Sequence, residues 1–184
     1  MHMQRMIEAL DSTDIATAFV GAKLLVGQNK VDKALELLLS WEKKDNISLI
    51  DKGILCYSIG CAYRSTGERD KAKIYLAKSA AYDLMVPKYE YLSLIELAGM
   101  LYEDGDIKRA YAYIMRAVND ANRANAQNCK ENVYLLMPII SGAYDAFITS
   151  SNLKMKYYLF IMGMMLVAVV FLIIVVSNSK KKVA

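Results

Sequence analysis

Few residues in this chain are of types that do covalent or acid–base chemistry, and their spacing is unhelpful to it. The one histidine, His2, stands at the extreme terminus, where it cannot serve a Ser–His or Cys–His nucleophile system. The three cysteines, Cys56, Cys61 and Cys129, contain no CxxC pair. Cys56 and Cys61 are five apart and would not share a helix face, so buried thiols are expected rather than a disulfide framework or a metal site. Glu103, Asp104 and Asp106 cluster, but on either side of a glycine. That pattern reads as a solvated turn with Asp106 capping the following helix, in preference to a catalytic carboxylate pair. P-loop, GxGxxG and HExxH patterns are missing from the chain. The expectation is a protein that is not an enzyme, with no cofactor and no metal.

The elements that carry these residues are set by apolar patterning. Of 184 residues, 55% are hydrophobic, and the mean hydropathy is +0.20. Much of that excess lies in KYYLFIMGMMLVAVVFLIIVVSNSKKKVA, where Leu159 to Val176 run without a charge. At ~1.5 Å per residue such a helix, with Tyr157 and Tyr158 beside it, can cross a ~30 Å hydrocarbon layer. The two tyrosines suit an aromatic belt, and Lys154, Lys156 and Lys180 to Lys182 suit snorkelling cations. Without Lys180, Lys181 and Lys182, the 23 basic residues fall to 20 against 19 acidic ones. The remainder has no basic block to follow a phosphate backbone, so direct nucleic-acid binding is not expected.

The rest of the chain repeats. Gly67-Glu-Arg-Asp-Lys-Ala72 and Gly105-Asp-Ile-Lys-Arg-Ala110 have the same shape 38 residues apart, and another step back gives Asn29-Lys-Val-Asp-Lys-Ala34. Asn29, Gly67 and Gly105 are residue types that tolerate the left-handed backbone of a tight interhelix turn. Seven residues before each lies a small residue, Ala22, Gly60 and Ala98, which lets helices pack closely, as Ala34, Ala72 and Ala110 do one helix later. Leu25, Leu38, Tyr63, Leu76, Leu101 and Ile114 fill larger apolar positions between them. Each unit reads as two antiparallel helices that cannot bury both faces alone, so the units stack. Helices are expected over about 3–10, 13–28, 30–44, 48–66, 68–84, 88–104 and 106–126, with Pro87 in the linker between units. A polar break at Asn125 to Asn132 precedes VYLLMPIISGAYDAFI, whose helical spacing suggests a capping helix, with Pro138 kinking it or marking its first turn. Thr149 to Asn152 is then a hinge, or part of one continuous helix.

YSIGCAYRSTGERDKAKIYLAKSA, Tyr57 to Ala80, resembles a tetratricopeptide repeat, somewhat longer than the usual ~34-residue period. The likeness covers Ile15 to Ala126, and its first unit departs by having Gly21 where a leucine is expected and Trp41 where a small residue is expected. Over Leu76 to Ile148 the chain is similar to a family of bacterial membrane-anchored tetratricopeptide regulators. In that family a repeat region outside the inner membrane precedes one span, a cytoplasmic coiled coil and a helix-turn-helix output. The resemblance implies an all-α, TPR-like α-solenoid with a capping helix and a C-terminal transmembrane helix. It implies a concave groove lined by Phe19, Lys23, Tyr57, Arg64, Ile95 and Tyr102, suited to a protein or peptide partner through amphipathic contact and carboxylate pairing. The organisation expected is about 1–14 as an upstream-helix remnant and 15–126 as three units (15–47, 48–86 and 87–126). After these come 127–150 as the cap, 153–178 as the span and 179–184 as a basic tail.

Met1 to Leu10 carry no apolar secretory stretch and read as the tail of an upstream repeat helix. The coiled coil and output are absent from these residues, as in a fragment or a shortened relative of such a regulator. The function expected is a binding or sensor domain in signalling or transcription regulation; the alternative is a static membrane-tethered scaffold. Lys180 to Lys182 after the span, against Lys154 and Lys156 before it, favour periplasmic repeats and a cytoplasmic C-terminus. The alternative topology is a tail anchor with cytoplasmic repeats. Gly163 is followed four residues on by Val167, so the span carries no small-xxx-small face for dimerisation.

Overall fold

The computed structural model describes residues 15–86, 92–124 and 127–183. The helix expected over 3–10, His2 and Pro87 lie outside them. Among the described residues there are seven helices and no strand: α1 Ile15–Gly27, α2 Val31–Glu42, α3 Leu49–Ser65, α4 Arg69–Met85, α5 Leu92–Glu103, α6 Ile107–Ala124 and α7 Gln127–Val183. The chain divides into two compact units, Met1–Ile140 and Ser141–Ala184.

In the first unit, α1–α2, α3–α4 and α5–α6 form three helical hairpins with one turn design. Asn29, Gly67 and Gly105 have φ of 59°, 82° and 81°. At each turn the next amide donates five residues back: Lys30 N to Leu25 O at 2.9 Å, Glu68 N to Tyr63 O at 3.0 Å, Asp106 N to Leu101 O at 2.8 Å. The turn residue itself donates to the carbonyl three before it, Val26, Arg64 and Tyr102 in turn. These paired bonds satisfy carbonyls that a helix end would otherwise leave open, and they require a left-handed residue at the bend. The following helices start with their own caps where the sequence supplies them. Ser48 Oγ accepts from Asp51 N at 3.1 Å, and Asp106 Oδ1 accepts from Arg109 N at 3.1 Å.

The small positions sit where the hairpins close. Ala22, Ala34, Ala72, Ala98 and Ala110 are buried, as are Leu25, Leu38, Tyr63, Leu76, Leu101 and Ile114. Gly60 makes the closest approach: a Cβ there would lie 2.9 Å from Leu76 Cγ and 3.2 Å from the Leu76 amide nitrogen. The aberrant first unit keeps its core by exchanging sizes. Gly21 and Trp41 are both buried, whereas the positions one period on pair a large residue with a small one, Ile59 with Ser79. Lys44 Nζ lies 3.2 Å from the centre of the Trp41 ring, closing its outer side.

Helix α7 begins at Gln127, so the polar residues 127–132 are helical rather than a break. Its first part contributes Val133 and Ile140 to the core of the first unit, and Leu136 Cδ1 lies 3.7 Å from where a Cβ on Gly99 would be. Pro138 lies well past the first turn, inside the helix; lacking an N–H, it leaves the Tyr134 carbonyl without its usual donor. Thr149 to Asn152 are helical, so of the two readings of that stretch the continuous helix holds. The second unit is a helix whose large apolar side chains, among them Leu159, Phe160, Leu166, Phe171 and Ile173, are exposed. Among the described residues, this is the one helix long and apolar enough to cross a membrane, and its most apolar stretch is unburied. Tyr157 and Tyr158 at its edge are exposed as well.

Candidate protein-interaction surface

The period of 38 makes the first helix of each hairpin directly comparable. One register position carries Phe19, Tyr57 and Ile95; another carries Lys23, Cys61 and Gly99; a third carries Val26, Arg64 and Tyr102. Phe19 and Tyr57 are half-buried, and Lys23 is exposed. Ile95 is 3% exposed and belongs to the core, which corrects its assignment to an open groove. The physical reason is its place in α5, whose residues Ser93 to Leu101 are buried on nearly every side. Tyr102 is half-buried and packs against the core cluster. The surface open to a partner at these positions therefore belongs chiefly to the first two hairpins.

Arg64 is exposed, yet its guanidinium is already bonded to Glu96 of α5 and lies 3.9 Å from Glu103. It is a strap between hairpins rather than an unpaired cation awaiting a carboxylate, so that part of its expected role is corrected. Its neighbours extend the strap. Arg69 bonds Glu103 at 2.8 Å and Asp104 at 2.7 Å, and Lys73 bonds Asp104 at 2.7 Å. The acidic cluster at the α5–α6 turn thus ties α4 to α5, with only Asp106 in the capping role read from the sequence. Hydrogen bonds from Lys73 and then Arg69 hold the Asp104 carboxyl below its ordinary 3.8. The signal for this was present in the spacing of Arg69 and Lys73, one helical turn apart and a period before the next turn, but a partner a period away cannot be read from local spacing.

The thiols are chemically quiet. Burial pushes the Cys56 thiol up to about 11, and burial likewise raises Cys61. The Tyr57 hydroxyl is raised by burial and by its hydrogen bond with Cys61, so it stays protonated. Cys129 lies among residues whose side chains are not described. Among the described residues no group of His, Cys, Asp or Glu is placed to hold a metal ion.

Stacked hairpins with left-handed turns and small residues at the crossings make this a tetratricopeptide-type array, a fold of protein–protein interaction. Residues 2–133 match the model of the SusR N-terminal TPR domain, and the chain belongs to that family. No match was found among curated proteins.

Proposed function

We propose that the chain is the membrane-anchored binding portion of a bacterial signalling or transcription-regulatory protein. The array takes up a protein or peptide, and the apolar helix holds it at the inner membrane. The observation that carries the reading is the coexistence in one chain of an SusR-type repeat array and a bare apolar helix following it. A repeat array presents recognition surface without chemistry, and the helix confines that surface to the membrane face.

In this reading Phe19, Lys23 and Tyr57 contact the partner, Arg64 shapes the surface while strapped to Glu96, and Tyr102 borders it. The repeats are periplasmic and the residues after the span cytoplasmic, supported by the three lysines Lys180 to Lys182. The division into three units, a cap, a span and a basic tail at the boundaries given above belongs to the same proposal.

Two measurements test it. Protease added to intact spheroplasts should digest the repeats; full protection would reverse the orientation. A photocrosslinking residue at Lys23 or Tyr57 should give one discrete protein or peptide adduct in cells. Loss of that adduct in a Phe19→Ala variant that keeps its helical spectrum locates binding on this face. A discrete adduct whose formation never alters a downstream response would favour a static scaffold.

A further inference from the structure

The hairpin junctions are built from repeat-equivalent residues, so an occupied junction can serve as a template for an open one. In the second hairpin, Tyr63 of α3 is buried and its ring centre lies 5.6 Å from that of Tyr75 of α4, with the planes tilted by 30°, and Tyr75 donates across the junction to Glu42 of the first hairpin at 2.8 Å. Lys71 Nζ stands 5.1 Å from the Tyr63 ring centre. Leu39 is half-buried against the same core. One period later the tyrosine pair's outer member and the cation recur as Tyr113 and Arg109, but Leu101 replaces Tyr63 and Ala77 replaces Leu39. Two apolar side chains have been shortened between a ring and a cation that remain.

The result is a cleft of about 450 Å³ lined on its apolar side by Ile74, Ala77, Leu97, Leu101 and Tyr113, and on its polar side by Lys73, Asp104, Asp106 and Arg109. An enclosed cavity of ~150 Å³ already takes a benzene ring, so this open cleft has room for a phenol ring, its face on the apolar side and its hydroxyl toward the charged side. Ile74 at the rim is 56% exposed, a large aliphatic group that nothing in the described array covers. Arg109 Nε is held by Asp106 Oδ2 at 2.5 Å, which anchors the guanidinium beside the opening.

We propose that this cleft is a docking site for an aromatic side chain of a protein partner, seated outside Leu101 in the room that the longer Tyr63 side chain takes up one period earlier. The ring would lie on Leu101, pair with Tyr113 and come under the Arg109 guanidinium. Ring–ring and cation–ring attraction both favour an aromatic over an aliphatic occupant of the same size. The site uses α4, α5 and α6, away from the α1 and α3 positions above. It rests on the array being a protein-interaction fold and not on which of those positions binds.

The test uses the full chain in lipid nanodiscs with methyl-labelled isoleucine and leucine, titrated with p-cresol as the side-chain probe. Saturable shifts are expected at Ile74, Leu97 and Leu101 and not at Leu25 or Leu38. Leu101→Tyr, which restores the missing ring, should abolish them, and Arg109→Gln should weaken binding about two- to five-fold, the size of an exposed cation–ring contact. If Leu101→Tyr does not fold, Ala77→Leu fills the same space and should also block the probe. Absence of saturable shifts, unchanged binding in a folded filled variant, or equal affinity for 4-methylcyclohexanol would each overturn the proposal. None of those outcomes bears on crosslinking at Lys23 or Tyr57, so the two readings fail separately.

Discussion

The two junctions of the array solve one packing problem in different ways. Between the first and second hairpins, apolar and aromatic groups dominate the seam: Leu35, Leu38 and Tyr63 are buried, and Tyr75, which packs on Tyr63 within the second hairpin, donates across to Glu42 Oε2 at 2.8 Å beside the Lys78–Glu42 ion pair at 3.2 Å. Between the second and third, Leu76 and Leu101 keep the apolar places of Leu38 and Tyr63, but Lys73 stands where Leu35 stood and Asp104 where Thr66 stood. Arg64, Arg69 and Lys73 are bonded across that seam to Glu96, Glu103 and Asp104. The first solution rests mainly on buried area, with Glu42 its one paired carboxylate among the described residues, and so responds less to solvent conditions. The second leaves a cleft and depends on pairs that salt screens and acid discharges. A repeat that tolerates this exchange can keep its fold while opening a surface at one junction.

The largest way to break the contrast is at the aromatic seam. Tyr63→Ala should cost ~3 kcal/mol or more of unfolding free energy, from lost burial plus an unfilled cavity. Denaturant unfolding of the chain in micelles would measure it, and a loss as small as that of an exposed substitution would mean that the ring does not support the seam. Gly60→Ala comes next, at roughly 1–3 kcal/mol, because its new methyl must displace Leu76 and meets backbone behind it. The corresponding Ala98→Gly at the third hairpin leaves no such clash and should cost about 1–2 kcal/mol, from helix propensity plus the loss of a buried methyl.

Smaller effects separate the two seams by their chemistry. Arg69→Gln should lower the melting temperature at low salt and lose that effect in molar salt, while Tyr63→Ala should be equally damaging in both. Equal salt sensitivity would erase the distinction drawn between the junctions. The smallest effect is with pH. Asp104 has a lowered folded value, so its contribution is present above its ordinary 3.8 and is lost as pH falls through that lowered value. Amide exchange in α4 and α5 should accelerate below about pH 4 before exchange in α1 and α2 does. Simultaneous loss in both hairpins would assign acid unfolding to other carboxylates.

What a single sequence determined here is local and periodic. A left-handed bend needs Asn or Gly, helix crossings need small residues, and an uncharged stretch long enough to span a membrane shows directly in residue types. These reasons act within a few residues or recur at a fixed step, so Asn29, Gly67, Gly105, Ala72 and Leu76 were readable without coordinates. The tertiary structure alone decided which surfaces remain. Ile95 shares a register position with the half-buried Phe19 and Tyr57, yet its helix is enclosed and it joins the core. Arg64 has the residue type for capturing a carboxylate, and its carboxylate is Glu96, 32 residues away in the same chain. The exchange of Tyr63 for Leu101 is visible as letters, but its consequence is a cleft only because Ala77, Tyr113 and Arg109 meet there in space. Burial and charge pairing are sums over neighbours that the fold brings together, and those neighbours are defined only once the hairpins have stacked.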